Sequence, residues 1–164
     1  MKRILSVIII SFFFASLSNM VSAADESIDN QNFICEFEGV EDYVCELVSC
    51  EGNREKQNVI VKIAISHALP EHDLRLEIWD AFTKDGEPYA SYIKNKTASD
   101  EFVWTQYETE HTIRTQRPKY IELKITSVLP SHDKISVVLF KYSRYDISYK
   151  HGFMVIKNIP ITWN

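Results

Sequence analysis

The chain has 164 residues, 18 Lys and Arg against 23 Asp and Glu, and a formal net charge of −5. That length bounds it to about one domain with a core of useful size. The acidic balance argues against nucleic acid as the main ligand, because polyanions repel it, and mildly favours a basic partner.

The chain opens with Lys2 and Arg3, then an apolar stretch over residues 4–17 broken only by Ser6, Ser11 and Ser16. Val21-Ser22-Ala23 supplies small residues at the outer positions of a cleavage site, so residues 1–23 read as a secretory signal peptide. The apolar run is shorter than the roughly 20 residues of a membrane span, and no second span follows. Loss of Lys2 and Arg3 takes the charge from −5 to −7. No Cys follows the cleavage point, which argues against a lipid anchor. Residues 24–32 (A-D-E-S-I-D-N-Q-N) are polar and predict a flexible N-terminal tail. The expected destination is periplasmic or extracellular, with residues 33–164 as a single domain.

Phe33-Ile-Cys-Glu-Phe-Glu38 alternates, as does Tyr43-Val-Cys-Glu-Leu47, with residues 39–42 as a turn between them. A hairpin pairing Phe37 with Tyr43 sets Cys35 opposite Cys45 on the apolar side. Export makes a Cys35–Cys45 disulfide chemically reasonable. A Cys35–Cys50 bridge also fits. In the first pairing Cys50 is left as a free thiol or an intermolecular link.

The next stretch occurs twice. I-A-I-S-H-A-L-P-E-H-D from Ile63 aligns with L-K-I-T-S-V-L-P-S-H-D from Leu123, and Pro70 with Pro130, an offset of 130 − 70 = 60. Each copy has an alternating apolar run, a Leu-Pro-x-His-Asp break and a second apolar run, which predicts a duplicated β-hairpin. Val59, Val61, Ile63 and Ile65 form one face, and Ile121, Leu123 and Ile125 its counterpart. The return strands cover residues 74–82 and 134–142; the run 135–140 is nearly all apolar and predicts a central strand. Residues 102–109 (F-V-W-T-Q-Y-E-T) favour strand over helix on composition, although Thr97-x-x-Asp100 resembles a capping box. Eight or nine short strands predict an all-β, antiparallel two-sheet β-sandwich with an internal two-fold repeat.

Chemistry is sparse. His72 and Asp73 in one copy and His132 and Asp133 in the other, with His67 nearby, are the histidine–carboxylate candidates. Brought to one end of the fold they could hold zinc. Taken simply, Pro presets the turn and Asp bonds its own backbone. Asp80, Asp85 and Glu87 around Gly86 resemble, over a handful of residues, the loops of calcium-dependent phospholipid-binding sandwich domains. That resemblance implies calcium ligation, while the D-G-E-P turn accounts for Gly86 and Pro88 without a metal. Tyr142, Arg144, Tyr145, Tyr149 and Lys150 interleave aromatic and basic side chains and form the expected binding surface. Gly-x-Ser-x-Gly, phosphate loops and paired-Cys motifs are absent from the sequence.

The favoured reading is an exported, non-catalytic protein-binding module: an inhibitor, an immunity-type partner or a surface-assembly accessory. It needs no cofactor, and its partner is another protein or a glycan. The alternative is a metal-dependent enzyme or sensor built on the His-Asp turns.

Overall fold

The computed structural model describes residues 33–83, 86–145 and 150–164, all within one compact unit, Phe33–Asn164. The expected leader (1–23) and tail (24–32), together with Asp85 and Tyr149, lie outside the described residues.

The described secondary structure is all strand: β1 (Ile34–Phe37), β2 (Tyr43–Asn53), β3 (Asn58–His67), β4 (His72–Phe82), β5 (Ala90–Lys96), β6 (Phe102–Thr105), β7 (Thr109–Ile113), β8 (Lys119–Thr126), β9 (Lys134–Tyr145), β10 (Lys150–Pro160) and β11 (Thr162–Trp163). They form a five-stranded sheet in the order β1-β10-β9-β4-β7 and a six-stranded sheet in the order β11-β2-β3-β8-β5-β6. Pairing is antiparallel except that β11 runs parallel to β2. Period-two alternation of β-branched residues drives this arrangement. Val59, Val61, Ile63 and Ile65 of β3, Ile121, Leu123 and Ile125 of β8, and Val138 and Phe140 of β9 are buried, and side chains from both sheets enter one core cluster. β9 is central, between β10 and β4, as its apolar run predicted.

The hairpins predicted from the sequence are corrected by the topology. β3 lies in the six-stranded sheet and β4 in the five-stranded one, and β8 and β9 divide the same way. Each Leu-Pro-x-His-Asp segment is therefore a crossover between sheets. The copies lie side by side instead, β3 pairing β8 and β4 pairing β9. β1 and β2 also belong to different sheets. The Cys35–Cys45 disulfide is present, with Cα atoms 5.8 Å apart, and ties one sheet to the other. Cys50 is a buried free thiol opposite Val61.

Two register shifts each present an apolar residue to solvent: Val48 in β2 and Trp79 in β4. Trp163 closes the far edge of the six-stranded sheet. Its ring lies where a Cβ on Gly52 would be, so only glycine fits there. Its indole N–H donates to the His132 carbonyl at 2.7 Å.

Candidate functional site

The residues chosen from the sequence divide between interior and surface. Tyr142 and Arg144 fall on the inward phase of β9 and are only 2% and 4% exposed, which removes them from the expected binding surface. Tyr142 donates to the Glu38 carbonyl at 2.7 Å, and the Arg144 guanidinium reaches the Asp42 carboxylate at 3.2 Å. The basic-aromatic run alternates in and out of the sheet, as any strand does. Tyr145, one residue on, is exposed and holds the Arg75 guanidinium over its ring at 4.4 Å; Lys150 is exposed.

The His-Asp turns do not meet. Asn58 of β3 pairs with Thr126 of β8, and Ile65 with Lys119. The turn after β3 thus lies beside the start of β8, and the turn after β8 beside the start of β3. His72 and His132 stand at opposite ends of the strands, and both are engaged structurally. The His72 Nδ1–H donates to the Pro70 carbonyl at 2.9 Å, which leaves Nε2 to accept the Tyr43 hydroxyl at 2.5 Å. His132 Nδ1 bonds the Tyr89 hydroxyl at 2.5 Å. Asp73 accepts from the Thr112 hydroxyl of neighbouring β7 at 3.0 Å rather than shaping its own turn. Among the described residues no group of three or more His, Cys, Asp or Glu side chains could hold a metal ion. At the calcium candidate, Gly86 N–H donates to the Thr83 carbonyl and Glu87 N–H to the Thr83 hydroxyl, with Gly86 at φ +83°. This is the turn chemistry that D-G-E-P implies.

A different surface gathers more chemistry. On the outward phase of the six-stranded sheet, Phe102 and Trp104 of β6 sit beside Lys96 and Lys94 of β5; Tyr92 of β5 sits beside Lys124 of β8; Tyr120 and Glu122 of β8 sit beside Ala64 and Lys62 of β3. The lysines lie over the rings: Lys62 over Tyr120 (5.0 Å) and Lys94 over Phe102 (5.0 Å) diagonally, and Lys124 over its direct partner Tyr92 (5.2 Å) and over Trp104 (4.9 Å). Phe102 and Tyr120 remain 63% and 54% exposed. Sequence reasoning missed these rings. Their signal was a phase: Tyr92 and Tyr120 neighbour the core residues Ile93 and Ile121 in strands that alternate, at positions where a solvated face ordinarily carries charge.

This face is also notched. β5 and β8 pair from Ala90–Thr126 to Ile93–Leu123 and then part, because β5 continues to Lys96 against β6 alone. The gap is a hollow of about 330 Å³ lined by Lys94, Lys96, Lys119, Glu122, Phe102, Tyr120 and, from β7 of the other sheet, Glu110 and His111. The Lys94 ammonium and the Glu122 carboxylate meet at 2.6 Å across the splay. The Thr109 hydroxyl donates to the Leu76 carbonyl, so His111 Nε2 donates to Thr109 at 2.9 Å and its Nδ1 carries the lone pair. Burial, aided by the positive Lys119, pulls the His111 pKa down to about 4, and the ring is neutral at ordinary pH. His67 is lowered too, chiefly by desolvation, and its Nδ1 is buried with no hydrogen-bond partner among the described residues. Burial next to Glu51 drives the Cys50 thiol up to about 12, so it is not a nucleophile at neutral pH.

No family model matches the chain, and no curated protein does. Among solved structures it is similar to a family 123 glycoside hydrolase from Clostridium perfringens whose report concerns glycolipid glycan hydrolysis. The TM-score is 0.36 at 8% identity, over 73% of this chain and 28% of that one. A likeness of that size establishes neither fold nor activity for this chain.

Proposed function

We propose that this protein is an exported, non-catalytic binding module, a two-sheet sandwich of two related halves that meets its partner through the outer face of the six-stranded sheet. The observation that carries the reading is the set of rings at Tyr92, Phe102, Trp104 and Tyr120, out of phase with the core and interleaved with lysines. Aromatic side chains left on a wet face offer large, rigid contact area at little entropic cost. The two-fold relation is supported by the pairing of Lys62 with Glu122, residues 60 apart, at the centre of the β3–β8 ladder. That same relation sends the His-Asp turns to opposite ends and removes the geometry that a shared metal site needs. Export is supported by the signal-like start of the sequence together with the disulfide. No helix among the described residues is long and apolar enough to cross a membrane.

The test is capture of the partner by mature protein, residues 24–164, with and without chelator. Trp104→Ala combined with Tyr120→Ala should abolish capture, Trp79→Ala on the other sheet should leave it intact, and chelator should have no effect. Capture that survives the first pair, or that disappears with chelator or with His72→Ala and His132→Ala, would overturn the reading.

A further inference from the structure

The notch between β5 and β8 holds charge that the fold does not consume. Of its carboxylates, Glu110 is tied to Arg75 at 2.8 Å and Glu122 to Lys94 at 2.6 Å. Of its cations, among the described residues Lys96 pairs only with Asp100 on an exposed loop and Lys119 makes no ion pair. A second hollow continues from Lys119 past Arg117 and Arg114. Five of the chain's eighteen Lys and Arg (Lys62, Lys94, Lys96, Lys119 and Lys124) thus lie on this face or line its notch, on a protein whose net charge is negative; the notch itself carries three Lys against two Glu, and in the second hollow Arg114 is already tied to Glu71 at 3.2 Å. A local excess of that kind, opposed to the overall charge, selects an anionic ligand.

The surrounding groups narrow the class. The neutral His111 ring supplies an acceptor in the notch, and the Lys ammonium groups supply donors for an anionic oxygen. Phe102 and Tyr120 stand at the rim, with Trp104 two residues along β6 from Phe102, roughly 7 Å away at about 3.3 Å per residue. Flat rings on an open sheet, mixed with hydroxyl-level donors and acceptors, suit pyranose rings. A peptide would instead take a deep apolar pocket or a long sheet edge, and β6, the edge strand here, is only four residues long.

We propose, on the strength of the binding-module reading above, that the notch is a subsite for the carboxylate of an acidic polysaccharide whose neighbouring sugars lie on Tyr120, Phe102 and Trp104. The test titrates mature protein with three probes, an oligogalacturonate, its carboxyl-reduced neutral counterpart and poly-glutamate, while tryptophan fluorescence and heat are recorded. The oligogalacturonate should bind and the neutral oligomer should bind about tenfold more weakly or worse, as loss of a charge-assisted contact implies. Lys119→Met with Lys96→Met should erase that preference without altering melting. Trp104→Ala should weaken both saccharides. Equal binding of the neutral oligomer, or a preference untouched by the lysine pair, would overturn the notch as a carboxylate subsite. Tighter binding of poly-glutamate than of oligogalacturonate would overturn it in favour of an acidic peptide. Binding of no saccharide, alongside partner capture still sensitive to Trp104→Ala and Tyr120→Ala, would overturn this inference and leave the binding module standing.

Discussion

Replacing His111 with Gln isolates the contribution of one buried neutral ring to the acid sensitivity of the fold. The Gln amide can still donate to the Thr109 hydroxyl, but it does not titrate. In the folded protein His111 has a pKa of about 4, whereas an unfolded chain restores about 6.5. Above pH 6.5 the ring is neutral in both states and contributes nothing to pH dependence. Between about 6.5 and 4 the unfolded state binds a proton that the folded state refuses, so stability falls as pH falls. The ceiling is the gap from about 6.5 to about 4 at about 1.4 kcal/mol per unit, or about 3–4 kcal/mol, most of which is reached by pH 4.5. Urea unfolding at pH 7.0 and 4.5 measures it. The unmodified protein should lose about 2–3 kcal/mol more than His111→Gln over that interval. Comparison of the two proteins cancels the contributions of His67, which acts in the same direction, and of the carboxylates. Parallel losses in both would show that His111 titrates normally in the folded chain and would refute its burial against β8.

Removing the Cys35–Cys45 link by a double Ser substitution frees a loop of 10 residues and should cost about 2.7 kcal/mol in the chain-entropy account; denaturant midpoints with and without reductant check it. Cys50 should resist alkylation until the protein unfolds, as mass mapping would show. Gly52→Ala should displace the Trp163 ring from its place and cost about 1–3 kcal/mol, as overpacking does, with a red shift in tryptophan emission that an unstrained Ala would not produce.

The strands were legible because period-two burial is a local signal. Val59 through Ile65 and Ile121 through Ile125 face inward as their alternation requires. Their partners were not legible, for a physical reason. An apolar run, a short turn and a second apolar run bury alternate residues whether the chain folds back within one sheet or crosses to another. The four residues between His67 and His72 serve either connection. The disulfide followed from a hairpin that does not exist. It came out correctly because inward positions on strands of opposing sheets can approach as closely as cross-strand neighbours, here to 5.8 Å between Cα atoms.

The candidate site shows the same limit from the other side. The run from Tyr142 to Lys150 drew attention because aromatic and basic residues crowd one segment, yet a strand distributes consecutive residues to opposite faces, and Tyr142 and Arg144 went inward. The rings that do share a face come from β5, β6 and β8, and are scattered over 29 positions from Tyr92 to Tyr120. No local window contains them together. The histidines invert the pattern: the Leu-Pro-x-His-Asp spacing is conspicuous in the sequence, but His72 closes a hydrogen-bond chain from Pro70 to Tyr43, and His132 bonds Tyr89. His72, with both nitrogens engaged, can accept a metal only by giving up one of those bonds, at a cost of about 1–3 kcal/mol for the partner left behind. Binding is therefore better sought on the wet phase of the six-stranded sheet, where the lysines that cover the rings can move aside for about 0.5–1 kcal/mol each.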